Sequence, residues 1–150
     1  MGKGKDMKYL NSFKLQFLSR SSNEGFSRSA VAAFLAQLDP TVEEISDIKT
    51  AGSEAVTNAV VHGYGNRLGM VYINAYILKD RKIVIDIKDK GRGIDDVQRA
   101  MTPLFTTSPE SERSGLGFTV MEAFMDKLRV RSKPDKGTVV HMVKTLKAKE

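Results

Sequence analysis

Ile83-Val-Ile-Asp-Ile-Lys-Asp-Lys-Gly-Arg-Gly-Ile94 decides how the chain is read, because a strand runs straight into a glycine-rich turn through one carboxylate, Asp89. Residues 83–87 are β-branched or alternate with polar ones, as a strand does. A carboxylate fixed where a sheet edge meets a loop can accept a hydrogen bond from the exocyclic amine of adenine, a donor guanine does not offer there. Gly91 and Gly93 have no Cβ, so the backbone can approach a flat ring or take positive φ. Alone, Asp-x-Gly-x-Gly is also an ordinary turn. A dinucleotide fingerprint does not fit, since no third glycine and no βαβ unit follow.

Working outward, Val71-Tyr-Ile-Asn-Ala-Tyr-Ile-Leu78 is a second strand, joined to 83–87 by a hairpin at Lys79-Asp-Arg-Lys82. Upstream, Thr41 with Glu44 forms a capping box for a long helix whose apolar stripe runs through Ile45, Ile48, Ala55, Val56 and Ala59, with Gly63 expected to end it. Gly52 sits inside that helix at about 1 kcal/mol against alanine, which a close packing contact or a kink would explain. Before it, Ser22 or Asn23 is expected to cap a helix carrying Phe26, Ala30, Val31, Phe34 and Leu38, ended by Asp39-Pro40. Phe13, Leu15 and Phe17 alternate with polar residues as a half-buried strand. Downstream come a helix from Phe118 to about Met125 and strands near 128–132 and 138–145 around the turn Lys133-Pro-Asp-Lys-Gly137. Consecutive, hairpin-linked strands predict an α/β (α+β) two-layer sandwich, a mixed and mostly antiparallel sheet with helices on one face.

The chain of 150 residues suits one domain, expected over 9–146 with tails at 1–8 and 147–150. Its 41% hydrophobic and 28% charged content argues against global disorder. No apolar run nears the roughly 18 residues of a membrane span. Met1-Gly-Lys-Gly-Lys5 does not read as a signal peptide, and Asp6 stands where an acylation motif needs Ser or Thr. With no cysteine there is no disulfide and no thiolate zinc site, in keeping with a cytoplasmic protein. The net charge of +6 gathers partly at Lys3, Lys5 and Lys8 and at Lys144, Lys147 and Lys149, read as loose solvated tails. No nucleic-acid-binding motif accompanies it, so direct nucleic-acid binding is not expected.

Two further segments carry chemistry. Glu54 and Asn58 are four apart, on one face of the long helix at the edge of its apolar stripe. A carboxylate there can take a proton from an attacking hydroxyl, and an amide oxygen suits Mg²⁺ bridging phosphates. Taken alone, the pair is also simply a solvated Glu and Asn. Ser114-Gly115-Leu116-Gly117 opens a helix, where free N–H groups and the positive dipole end attract anions. The long polar stretch Pro103–Arg113 before it has the character of a lid, with Arg113 in reach of a terminal phosphate. In combination the segments describe an ATP site.

The order Glu54…Asn58, Asp89-x-Gly91-x-Gly93, Gly115-x-Gly117 resembles the ATP-binding (Bergerat) fold of gyrase, Hsp90, sensor histidine kinases and the MutL mismatch-repair proteins. Ser53-Glu-Ala-Val-Thr-Asn-Ala59 with His62-Gly-Tyr64 is similar to the anti-sigma-factor serine kinases of spore formers. Val31–Thr41, Pro103-Leu-Phe-Thr-Thr107 and Glu112-Arg-Ser-Gly-Leu-Gly-Phe118 narrow the resemblance to the sporulation anti-sigma F family (stage II sporulation protein AB), from about Phe13 to Lys144. Met1-Gly-Lys-Gly-Lys5 looks foreign to it.

That resemblance implies a homodimer that holds sigma F from RNA polymerase and uses Mg-ATP to phosphorylate a serine of an anti-anti-sigma partner. It implies Glu54 as catalytic base, Asn58 as Mg²⁺ ligand and Asp89 as adenine reader, with Gly91, Gly93 and Thr138 beside it. Ser114, Gly115, Leu116 and Gly117 become the phosphate-binding helix start, with Thr106, Thr107 and Arg113 as the neighbouring lid. Arg28 becomes a contact to both protein partners, an assignment that rests on the resemblance alone. Partner affinity is expected to differ between the ATP and ADP forms. The alternatives are an ATP-dependent sigma-binding module without kinase activity, or the equivalent kinase for a stress sigma factor. His62 and His141, the only histidines, lie in no separate helical dimerisation segment, which argues against a histidine autokinase.

Overall fold

The computed structural model describes residues 9–102 and 116–149. Its strands are β1 (Tyr9–Leu18), β2 (Met70–Leu78), β3 (Lys82–Asp89), β4 (Lys127–Lys133) and β5 (Gly137–Thr145). They form a sheet in the order β1-β2-β3-β5-β4 with every neighbouring pair antiparallel. The helices are α1 (Ser22–Leu35), α2 (Val42–Thr57), the single turn α3 (Val97–Ala100) and α4 (Gly117–Phe124). No helix among the described residues is long and apolar enough to cross a membrane.

Alternation along the strands builds two different faces. Leu15, Ile73, Ile87, Val140 and Val130 form one cross-strand row, and Phe13, Ala75, Ile85, Met142 and Leu128 the next. These rows join Leu35, Ile48, Ala55, Val56 and Met121 in one apolar core between sheet and helices. The opposite face carries Lys14, Asn74, Asp86, His141 and Arg129 in register. The result is a two-layer sandwich.

The capping box forms: Thr41 Oγ1 accepts from Glu44 N–H at 3.0 Å, and Glu44 Oε1 accepts from Thr41 N–H at 2.9 Å. The second Glu44 oxygen accepts from Lys147 N–H at 2.8 Å, tying the chain end to the start of α2.

Five expectations need correction. Ser21, not Ser22 or Asn23, holds the cap position of α1 and makes no side-chain cap bond, while Asn23 reaches back to Leu18 O at 2.9 Å. The α-helix ends at Leu35, and a 3₁₀ turn, Ala36–Leu38, leads to Asp39 at φ 50° before Pro40. Gly63 does not end the long helix: α2 continues as a π-helical segment, Asn58–Tyr64, and stops at Gly65, φ 60°. The carboxy-terminal lysines are not loose, since Lys144 Nζ bonds Phe124 O at 2.7 Å and Lys149 Nζ bonds Asp39 at 2.9 Å. At Gly52 a Cβ would meet nothing within 4 Å and α2 runs through unbroken, so neither close packing nor a kink explains it.

Candidate functional site

Three elements converge at one end of the sheet: the last turns of α2 with the π-helical segment, the loop after β3, and the start of α4. Asp89 closes β3 and is only 2% exposed. Burial pushes its pKa up to about 6, against the opposing effect of N–H groups from Gly91 and Thr138. Gly91 N–H donates to Asp89 Oδ1 at 2.8 Å. The carboxylate lies against Gly63, where a Cβ would fall 2.8 Å from Asp89 Cγ. A buried acid whose charge is disfavoured, held in a glycine-walled cradle, is characteristic of a binding position.

The loop after Asp89 is stitched down from both sides. Tyr64 Oη accepts from Lys90 N–H and donates to Met70 O, both at 2.7 Å. Arg92 N–H donates to Gly63 O at 2.9 Å and its Nε to His62 O at 2.7 Å. The carbonyl of Arg92 accepts from Asp135 N–H at 2.6 Å. Both glycines permit close approach: a Cβ would lie 2.0 Å from Gly63 O on Gly91 and 1.9 Å from Lys133 O on Gly93, which also has φ 76°. Thr138 pairs with Asp89 across β3 and β5, and its Oγ1 lies 2.8 Å from Ser132 Oγ, which also takes Ile94 N–H.

Glu54 and Asn58 lie half-buried one turn apart, where α2 passes into π geometry. The N–H of Asn58 is shared between the carbonyls of Glu54 and Ala55 just before the helix widens to π geometry. Such widened turns recur at functional sites. Helix α4 packs on α2. Its first residue, Gly117, follows Leu116 and places its Cβ position 3.3 Å from Glu54 Oε1. The fold therefore brings together Glu54, Asn58, Asp89, Gly91, Gly93, Leu116, Gly117 and Thr138. Thr106, Thr107, Arg113, Ser114 and Gly115 lie outside the described residues. Arg28 stands apart on α1, with Nη1 3.2 Å from Glu24 and 3.4 Å from Ser53 Oγ, itself bonded to Glu24. It is thus beside the residue that precedes Glu54.

Among the described residues no cluster of three His, Cys, Asp or Glu side chains could hold a metal alone. The amide of Asn58 fits a cation that takes most of its ligands from water and phosphate, as Mg²⁺ does. Sequence reasoning missed Gly63, Arg92 and Ser132. Gly63 acts by leaving space for Asp89, Arg92 through its Nε and Ser132 through its Oγ, and each meets a partner distant in sequence, which no local motif announces.

The family profile described as the histidine kinase-like ATPase domain matches residues 23–144. An anti-sigma F factor of Caldanaerobacter subterraneus subsp. tengcongensis is 60% identical over 138 residues, which is 92% of this chain and 96% of the relative. The anti-sigma F factor of Clostridium novyi is 57% identical over 141 residues, 93% of this chain and 98% of the relative. The RsbU and RsbW domains of a Mycobacterium tuberculosis protein superpose with a TM-score of 0.67 at 21% identity, over 91% of this chain and 32% of that one. That likeness speaks for the fold alone. With the sequence matched almost end to end, the chain belongs to the anti-sigma F factor family, within the histidine kinase-like ATPase domains.

Proposed function

We propose that the chain is a cytoplasmic anti-sigma factor and protein serine kinase, a homodimer that withholds a sigma factor, sigma F, from RNA polymerase and phosphorylates an anti-anti-sigma partner. The observation that carries the kinase reading is the Glu54 carboxylate set against Gly117 at the head of α4 and one turn from Asn58. A scaffold that only held nucleotide has no need of a carboxylate at that place. The names of the relatives support the sigma-factor partner.

Asp89, given its place by the missing Cβ of Gly63, accepts a hydrogen bond from the exocyclic amine of adenine, with Gly91, Gly93 and Thr138 beside it. Phosphate binding falls to Gly115, Leu116 and Gly117, with Ser114, Arg113, Thr106 and Thr107 assigned to it on the match to the family's motif. Asn58 offers its amide oxygen to Mg²⁺. Bound Mg-ATP supplies the phosphoryl group that the acceptor serine takes up. Glu54 accepts the proton of that serine hydroxyl as its oxygen bonds to the γ-phosphorus and the bridging P–O bond to ADP breaks. Arg28 serves as a contact to both protein partners.

The test is transfer of labelled γ-phosphate from Mg-ATP to a purified anti-anti-sigma protein of the same organism. Labelling of one partner serine, lost in Glu54→Gln while nucleotide stays bound, supports the reading. Unchanged transfer in that variant removes Glu54 from the mechanism. Tight ATP binding without any transfer favours a sigma-binding module. A sigma-binding panel separates sigma F from a stress sigma factor.

A further inference from the structure

Strand β4 ends the sheet, and among the described residues nothing pairs with its outer edge. Its core-facing positions are Leu128, Val130 and Ser132, while Lys127, Arg129, Arg131 and Lys133 all point to the opposite face and are exposed. At about 3.4 Å per residue these four cations form a row roughly 20 Å long. The face continues in kind, since Lys88 stands across Val139 from Arg131.

Carboxylates nearby are engaged elsewhere. Asp86 Oδ1 lies 2.6 Å from His141 Nδ1, and Asp126 accepts from Thr145 N–H at 2.7 Å. None of the four β4 cations has an ion-pair partner among the described residues, whereas Arg28, Lys144 and Lys149 each have one. A charge on an edge strand, lysine above all, helps to keep it from aggregating. Four in alternation do more. Two copies pairing through this edge would set cation against cation, so the row rejects itself and favours a strand of opposite charge.

We propose that the β4 edge is a docking strip for an extended acidic segment of another protein, added as a sixth strand with Asp or Glu at alternate positions beside Lys127, Arg129, Arg131 and Lys133. A polypeptide uses the free backbone groups of the edge, which a nucleic acid cannot. Stacking platforms for bases are absent from β4, and Tyr72, three strands away on this face, already lies under Lys90 at 5.2 Å. The strip lies on the face turned away from the helices, and its operation does not depend on the nucleotide reading.

The experiment uses the full chain and a labelled peptide alternating Glu with Thr, followed by fluorescence anisotropy at low salt. The wild type is expected to bind it at least about tenfold more tightly than an Arg129→Glu/Arg131→Glu variant whose circular dichroism is unchanged. Arg129→Gln/Arg131→Gln should fall between them and stands in if the reversal impairs folding. The peptide N-methylated at alternate residues, made in both registers, should lose binding in one register. Equal affinity for wild type and both variants overturns the proposal, as does binding that survives N-methylation in both registers. Tighter binding of an oligothymidylate of equal charge also overturns it, in favour of a nucleic-acid surface.

Discussion

Asp89 is ionised at neutral pH in surroundings that disfavour its charge. Its folded pKa of about 6 lies above the ordinary 3.8, so between those values the native state holds more protons than the unfolded chain. Stability therefore falls as pH rises through that window and stays at the lower level above it. Asp89→Asn removes the penalty while keeping an oxygen for the Gly91 N–H. It is expected to raise stability by something on the order of 1–3 kcal/mol at pH 7.5 and by much less near pH 4. Urea unfolding at the two pH values checks this, and an equal gain at both refutes it. The same variant should bind ATP weakly, because its one amide oxygen is taken by the Gly91 N–H and its NH2 then meets the adenine amine donor to donor. Gly63→Ala makes the complementary point. Its methyl would press on the Asp89 carboxyl group at 2.8 Å, so nucleotide affinity measured by calorimetry should drop although no ligand-contacting side chain is altered. Asp89, Gly91 and Gly93 were legible in the sequence because their spacing states a chemical need. Gly63 and Arg92 were not, since the Asp89 carboxylate that Gly63 makes room for and the His62 carbonyl that Arg92 Nε bonds lie some thirty residues away in sequence.

At the level of elements, the legible features were those with local causes. The Thr41/Glu44 capping box and the strand alternation depend on neighbours a few residues away, and both formed as read. The passage from α to π geometry at Asn58 occurs on a segment bonded by the loop after β3 through Arg92, and no periodicity announces it. The same distinction explains the cap of α1, where Asn23 is drawn to the end of β1 instead. Gly52 yields an element-scale prediction. Its missing side chain borders a cleft between α1, α2 and the sheet, lined by Ser27, Arg28, Val31, Lys49, Val56 and Ile85. With nothing within 4 Å of the Cβ position, Gly52→Ala gains helix propensity without a clash. It should stabilise the protein by about 1 kcal/mol in urea titrations. A loss of stability would mean that the glycine meets a need outside the helix.

For the whole molecule, one apolar core joins both layers. Val31 and Leu35 of α1, Ile48 and Val56 of α2, Met121 of α4 and Leu146 beyond β5 all belong to it. No layer can leave without exposing the other, so thermal unfolding should be a single transition. The proposed nucleotide site draws on α2, the loop after β3 and α4, and a ligand there stabilises every part at once. At about a hundredfold excess over Kd, Mg-ATP adds about 2.7 kcal/mol. For a domain of this size that raises Tm by roughly 5–10 °C. The variants separate the contributions. Asp89→Asn should melt higher than wild type without nucleotide and gain little from it, the opposite order to Gly63→Ala, which starts lower. Asn58→Ala in Mg²⁺ should behave as the wild type does in EDTA, because both remove the same bridge between protein and phosphates. If chelation leaves the nucleotide-induced shift intact in wild type, Asn58 holds no metal, and its position at the π-helical turn must serve the fold.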